Sequence, residues 1–176
     1  MTTVNRQQVI RAMICTDKKG YAFEVKAYAP GDFSRLVEMY DLFKPKVKFQ
    51  GMPPLEKETC RKWVKGLIEA GKSFLAWRGD RVIGHVAVLP DFDKGDAEYL
   101  IFVDQYNRGV GVGSELTRAA IKKAEGLGLK TVWLTVDAYN FRATKLYKKC
   151  GFSFCKEYES PSERMMEYVC ECKNGS

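Results

Sequence analysis

Glu98-Tyr-Leu-Ile-Phe-Val103 and Arg108-Gly-Val-Gly-Val-Gly113, separated by Asp104 to Asn107, decide how this chain folds. The first run is apolar and rich in β-formers, and reads as a buried strand. After the second, Ser114 to Leu127 places Leu116, Ala119, Ala120, Ile121 and Ala124 at helical spacing. Gly126 and Gly128 stop that helix. A glycine-rich turn between a strand and a helix N-terminus bares main-chain N–H groups and lets a ligand approach them closely. Those donors, together with the positive end of the helix dipole, suit a pyrophosphate. The stretch therefore reads as a phosphate cradle.

Two kinds of cradle compete. The dinucleotide fingerprint G-x-G-x-x-G/A is nearly met by Gly109, Gly111 and Ser114, with Asp137 at a plausible distance for the ribose acid. Asp104 to Arg108, however, part the strand from the cradle where that turn should be tight. Only roughly 60 residues follow, too few for a second set of βα units. The alternative fits better. Arg108-x-x-Gly111-x-Gly113 resembles the R/Q-x-x-G-x-G/A signature of the GNAT family of N-acetyltransferases. Downstream, Asn140-Phe-Arg-Ala143-Thr-Lys-Leu146-Tyr147-Lys-Lys-Cys-Gly151-Phe152 is similar to that family's second hallmark, N-x-x-A-x-x-L-Y-x-x-x-G-F. Two motifs in the right order are far more specific than one glycine turn. The close match runs from about Glu98 to Phe154; beyond it only the order of elements matches.

The resemblance implies an α/β (α+β) fold with a mixed central sheet and helices on both faces. It implies acetyl-CoA as the acetyl donor and an amine as acceptor. The N–H groups of Val110, Gly111, Val112, Gly113 and Ser114 would hold the pyrophosphate, with Gly109 part of the same cofactor-binding turn and Arg108 adding charge. Phe102 and Val103 would pair through their main chain with pantetheine, one N–H polarising the thioester carbonyl. Asn140 would contact the donor, or serve as a helix N-cap, or both. Tyr147 would stand by the sulfur as general acid. Glu98, at the opening of the central strand, is the candidate base. A one-residue change of register would turn its side chain away. His85 and ordered water stay open as alternatives, though a histidine inside an apolar strand is more often a satisfied core residue. A second class of function also stays open: the same fold kept as an acyl-CoA sensor without turnover.

Order along the chain agrees with this layout. Residues 1–20 read as an extension or a first short element, with Val9, Ile10, Ala12 and Met13 as its apolar part, and 21–176 as one domain. Tyr21 to Tyr28 reads as a strand, and Asp32 as the N-cap of a helix whose buried stripe is Phe33, Leu36, Val37, Tyr40 and Phe43. Leu55 to Ala70 reads as a second helix, with Cys60, Trp63, Val64, Leu67 and Ile68 inward. Gly79-Asp80 joins two strands as a hairpin. Lys130 to Val136 is a buried strand, Asn140 to Cys150 a short helix, and Phe152 to Glu157 and Met165 to Cys172 closing strands.

At 176 residues there is room for one well-buried domain. With 45% hydrophobic and 29% charged residues the composition is globular, and no run of apolar residues is long enough to span a membrane. Met1 to Gln8 is polar, so a cytoplasmic protein is expected. The net charge of +7 suits an anionic ligand such as coenzyme A. Lys44, Lys46 and Lys48 lack the aromatic interleaving that nucleic acid would need, so nucleic acid is not favoured. Six scattered cysteines and one histidine give no metal-ligand spacing, and no metal is expected. A homodimer is left open.

Overall fold

The computed structural model describes residues 12–46 and 51–171, and of Glu159 only the main chain. A short hairpin opens it: β1 (Met13–Thr16) pairs antiparallel with β2 (Ala22–Ala27) across the Asp17–Gly20 turn. The first element expected near Val9 to Met13 is thus a strand beginning at Met13; Val9 and Ile10 lie outside the described residues. A single 3-10 turn, Pro30–Asp32, leads into α1 (Phe33–Leu42). Asp32 does not cap α1 as expected. Its carboxylate reaches back to accept the Ala29 N–H at 2.9 Å, because the chain is already helical at Asp32.

Then come α2 (Lys57–Ala70), β3 (Lys72–Arg78), β4 (Arg81–Asp91) and β5 (Asp96–Val103). Glu56 caps α2 by accepting the Glu58 and Thr59 N–H groups. The second half holds α3 (Val112–Gly126), β6 (Thr131–Asp137), α4 (Phe141–Lys149), β7 (Ser153–Glu159) and β8 (Glu163–Val169). Cys170 follows β8 and is buried; Cys172, expected on the same strand, lies outside the described residues.

All eight strands form one sheet in the order β1-β2-β3-β4-β5-β6-β8-β7. Every described pair is antiparallel except β5–β6. The strand order excludes a doubly wound parallel sheet, and with it the dinucleotide reading of the glycine turn. β4 is buried from Val82 to Val88, as a strand covered on both faces must be.

Each face carries its own core. On one, Val112, Leu116, Ala120 and Ala124 of α3 pack on Phe23, Val25, Val86, Val88, Tyr99, Val132 and Leu134. On the other, Leu36, Met39 and Tyr40 of α1 and Val64 of α2 pack on Leu75, Val82 and Phe102. Each large side chain so buried contributes on the order of 1.5–3 kcal/mol. The buried stripe of α1 is Leu36, Met39 and Tyr40 with Phe43 just beyond it; Phe33 and Val37 are only partly covered. A ten-residue helix on one sheet face buries a narrower stripe than periodicity suggests. On α2, Cys60, Val64 and Leu67 are buried, with Trp63 and Ile68 at the margin.

Candidate functional site

The site is built where β5 and β6 part. They pair only over Asp96–Glu98 and Thr131–Trp133. Beyond that, β6 continues along β8 to Asp137, and β5 continues along β4 to Val103. A wedge-shaped gap therefore opens from Tyr99 onward and widens toward the glycine turn. Main-chain alternation says which groups line it. Asp104 N–H donates to Ile83 O at 3.0 Å, which turns the main chain of Phe102 and Leu100 toward β4. The N–H and C=O of Tyr99, Ile101 and Val103 then face the gap. This corrects one expected residue: of Phe102 and Val103, only Val103 offers its main chain there, and Ile101 takes the place given to Phe102. The register is fixed by pairing with β4, which the residue order alone does not reveal.

At the wide end, Asp104 shapes the approach to the cradle. Its carboxylate accepts the Tyr106 N–H at 2.7 Å and the Asn107 Nδ2–H at 3.0 Å. Gly109 and Gly111 follow with φ of 75° and 111°, a left-handed backbone that only glycine adopts freely. A β-carbon on either would meet nothing within 4 Å, so both sit beneath open space. Gly111 is the N-cap of α3, and its carbonyl accepts the N–H groups of Ser114 (3.1 Å) and Glu115 (3.3 Å). That commitment removes Ser114 from the expected donor set. The N–H groups from Gly109 to Gly113 have no protein acceptor among the described residues. Gly113 is needed for another reason: a β-carbon there would lie 3.0 Å from Cδ2 of Leu146 and 3.8 Å from Cδ1 of Ile101. Contact of α4 with the start of α3 thus closes one wall of the gap.

Arg108 lies at the cradle, but its guanidinium turns toward the α1 side. Nε donates to Val103 O at 2.8 Å, Nη2 to Lys44 O, and the group lies 4.9 Å from the Phe43 ring centroid. Burial, and then the like charge of Arg142, hold its pKa below the ordinary arginine range, with Asp104 opposing them. Arg142 is a residue the sequence reading missed, standing at a variable position of the second motif. Together the two place positive charge beside the gap, offset in part by Asp104.

Side-chain alternation divides the candidate acid and base between the faces. Ala97 and Tyr99 belong to the α3-side core, Phe102 to the α1–α2 side. Glu98, in phase with Leu100 and Phe102, therefore faces the α1–α2 side. It is partly buried, and desolvation raises its carboxyl above the ordinary 4.5. Directly paired residues share a face, so Glu98, Trp133 and Glu167 stand in a row across β5, β6 and β8. Neither carboxylate has a basic partner within 4 Å among the described residues.

Tyr147 is on the other side. It is buried on α4, edge-on to Tyr99 with ring centroids 5.9 Å apart, and packed on Phe152 at 5.9 Å. Burial raises its hydroxyl well above the ordinary tyrosine range, so it stays protonated at neutral pH. Tyr99 is fixed in turn by a 2.7 Å hydrogen bond to Thr117, whose Oγ1 donates to Gly113 O at 2.7 Å. Asn140 caps α4, its Oδ1 accepting the Ala143 N–H at 3.1 Å.

His85 is excluded as a proton carrier. It is fully buried, Nδ1 is 2.7 Å from the Tyr40 hydroxyl, and Nε2 is 3.0 Å from Ser73 Oγ. Desolvation pulls its pKa from 6.5 to about 3, so it is neutral and structural. No group of three or more potential metal ligands gathers among the described residues, and no helix of theirs is long and apolar enough to cross a membrane.

Comparison with known proteins places this geometry. The profile of the family described as "Acetyltransferase (GNAT) family" matches residues 34–152, and the chain belongs to that family. Mycothiol acetyltransferase of Geodermatophilus obscurus is 36% identical over 86 residues, which cover 46% of this chain and 28% of that protein. YvbK of Bacillus subtilis, an uncharacterized N-acetyltransferase, is 31% identical over 115 residues, covering 65% of this chain and 67% of that protein. Among solved structures, the GNAT domain of S. lividans PAT superposes with a TM-score of 0.75 at 18% identity, covering 90% of this chain and 96% of that one. The last likeness is one of fold.

Proposed function

We propose that this protein transfers the acetyl group of acetyl-CoA to a primary amine, by direct attack within a ternary complex. The observation that carries the reading is the β5–β6 gap, lined by unpaired main chain and opening onto unpaired N–H groups at a helix N-terminus. The open space above Gly109 and Gly111 fits a pyrophosphate brought up to the backbone. Arg108 and Arg142 attract it electrostatically. Pantetheine would add to β5 as a partial strand, on the main-chain groups of Ile101 and the N–H of Val103, whose carbonyl already accepts from Arg108.

Glu98 would act from the acceptor side. It takes a proton from the ammonium form of the acceptor, directly or through water, and its raised pKa makes it a better base than an exposed carboxylate. The freed lone pair attacks the thioester carbon, and an N–H of β5 in the gap stabilises the oxyanion. As the C–S bond breaks, Tyr147 gives its hydroxyl proton to the leaving sulfur, and the second proton lost by the attacking nitrogen passes through water to restore the tyrosine. Asn140 would contact the donor through the amide nitrogen that capping leaves unused. The row Glu98–Trp133–Glu167 supports an acceptor that carries positive charge, by carboxylate attraction and by cation–π contact.

A panel of alkylamines, diamines and amino acids, assayed for coenzyme A release, tests this reading. The expected result is release with cationic amines and slower release with amino acids, whose carboxylate would meet Glu98 and Glu167. Binding of acetyl-CoA without release on any amine would instead mark an acyl-CoA sensor.

A further inference from the structure

Within the glycine turn only Val110 is fixed by its side chain, in the α3-side core, while Gly109 and Gly111 touch nothing. Flexible main chain loses affinity because binding must order it. The turn is held from outside, however, at two points. Lys18 N–H, in the β1–β2 turn, donates to Val110 O at 2.9 Å. Arg78, the last residue of β3, donates through Nη1 to Asn107 Oδ1 at 2.8 Å, and through Nη2 to Asp17 Oδ2 at 2.6 Å. Asn107 passes the contact on to Asp104. The Asp17 carboxylate also accepts the Lys19 N–H at 2.8 Å and the Tyr21 N–H at 3.0 Å, and its side chain is 1% exposed. Arg78 leaves its buried Nε without a partner while spending both terminal nitrogens on Asp17 and Asn107.

We infer that Asp17, Arg78 and Asn107 are positioning residues for the acetyl donor. Together they form a brace that fixes the glycine turn from the back of the sheet. The inference rests on reading residues 109–113 as the donor's phosphate cradle. The fold itself depends little on the brace: β1–β2 and β2–β3 are held by strand pairing, and Phe23 and Val25 by the core. Between Asn107 and Val112 the cradle's own anchors are the Arg108 guanidinium on Val103 O and Lys44 O and the Val110 side chain in the core; Gly109 and Gly111 add none. Arg78 cannot be replaced by lysine in this role. One ammonium cannot present two fixed donors to acceptors on separate elements.

The test uses Arg78→Lys and Asn107→Ala, with Gly111→Asp alongside. Asn107→Ala is the milder change, because it leaves the Asp17–Arg78 pair intact. Coenzyme A binding is measured by calorimetry, together with KM for acetyl-CoA, KM for the amine, kcat and Tm. Losing the Arg78–Asn107 bond, and in Asn107→Ala also the bond to Asp104, should raise the coenzyme A dissociation constant and the acetyl-CoA KM at least about tenfold. kcat at saturating donor and KM for the amine should stay within about twofold, since neither Glu98 nor Tyr147 is touched. If Gly111→Asp abolishes coenzyme A binding while both brace variants bind like the parent, the brace is overturned, even if their Tm falls. If Gly111→Asp itself binds like the parent, the cradle reading fails and the inference falls with it.

Discussion

The donor half of the gap is made mostly of main chain, and the acceptor half of side chains. On the α3 side, the groups proposed to work are the N–H groups of Gly109 to Gly113, the peptide groups of Ile101 and the N–H of Val103. On the α1–α2 side they are Glu98, Trp133 and Glu167, brought level by three strands that are far apart in sequence. Main-chain sites tolerate change in neighbouring side chains and fail when a glycine is lost. Side-chain sites are tuned one residue at a time. The two halves should therefore respond to substitution in different ways.

Gly111→Asp should have the largest effect. It puts a β-carbon on a backbone with φ of 111° and a negative charge where the pyrophosphate is expected. Acetyl-CoA should no longer raise Tm, whereas for the parent a ligand at about 100 times its dissociation constant stabilises by about 2.7 kcal/mol. A variant that keeps the parent's ligand-induced shift would place the donor elsewhere.

Tyr147→Phe sharpens the comparison, because it alters a side chain on the donor side while leaving the cradle alone. Donor binding should persist and kcat should fall by about 100- to 10,000-fold. An unchanged kcat, with chemistry shown to be rate-limiting, would remove Tyr147 from the mechanism and leave it a core aromatic beside Tyr99.

His85→Gln should have the smallest effect on rate and a readable one on stability. The folded pKa of about 3 lies below the unfolded 6.5. The unfolded chain therefore binds the proton first. Stability is complete above about pH 6.5 and declines as pH falls toward 3. Glutamine keeps hydrogen-bonding groups for Tyr40 and Ser73 but does not titrate. The decline of Tm between about pH 6 and 4 should flatten, with the pH–rate profile unchanged. A displaced pH–rate profile would return His85 to the list of proton carriers.

The same contrast explains what could be read from the residues alone. The cradle and α4 were legible because glycine conformation and helix capping act within a few residues: Gly111 at the N-cap, Asn140 at the next. The place of Tyr147 on α4 was legible from a local motif. Its partition from Glu98 across the sheet was not, since that depends on the register of β5 against β4. The same register turns the Phe102 main chain toward β4 and that of Ile101 toward the gap. Ser114 dropped out because one carbonyl, Gly111 O, accepts its amide. Arg108 kept its place but not its direction, as the Val103 and Lys44 carbonyls and the Phe43 ring supply nearer partners. The Asp17–Arg78–Asn107 brace gave no local signal at all, because its members are separated by long stretches of chain.

We propose that the proton is removed on the face opposite the general acid, by Glu98. The most direct measurement is the pH–rate profile of Glu98→Gln against the parent, with one good alkylamine. Such an amine, with a pKa near about 10, is almost wholly protonated at about pH 7. The account predicts a rate deficit that is largest near neutrality and shrinks in alkali, as free amine becomes abundant. Desolvation already raises the Glu98 pKa, so the ionised carboxylate costs stability above that pKa, and Glu98→Gln should lose no Tm at pH 7. Parallel profiles, offset by a constant factor or coincident, would contradict the account and leave ordered water as the base.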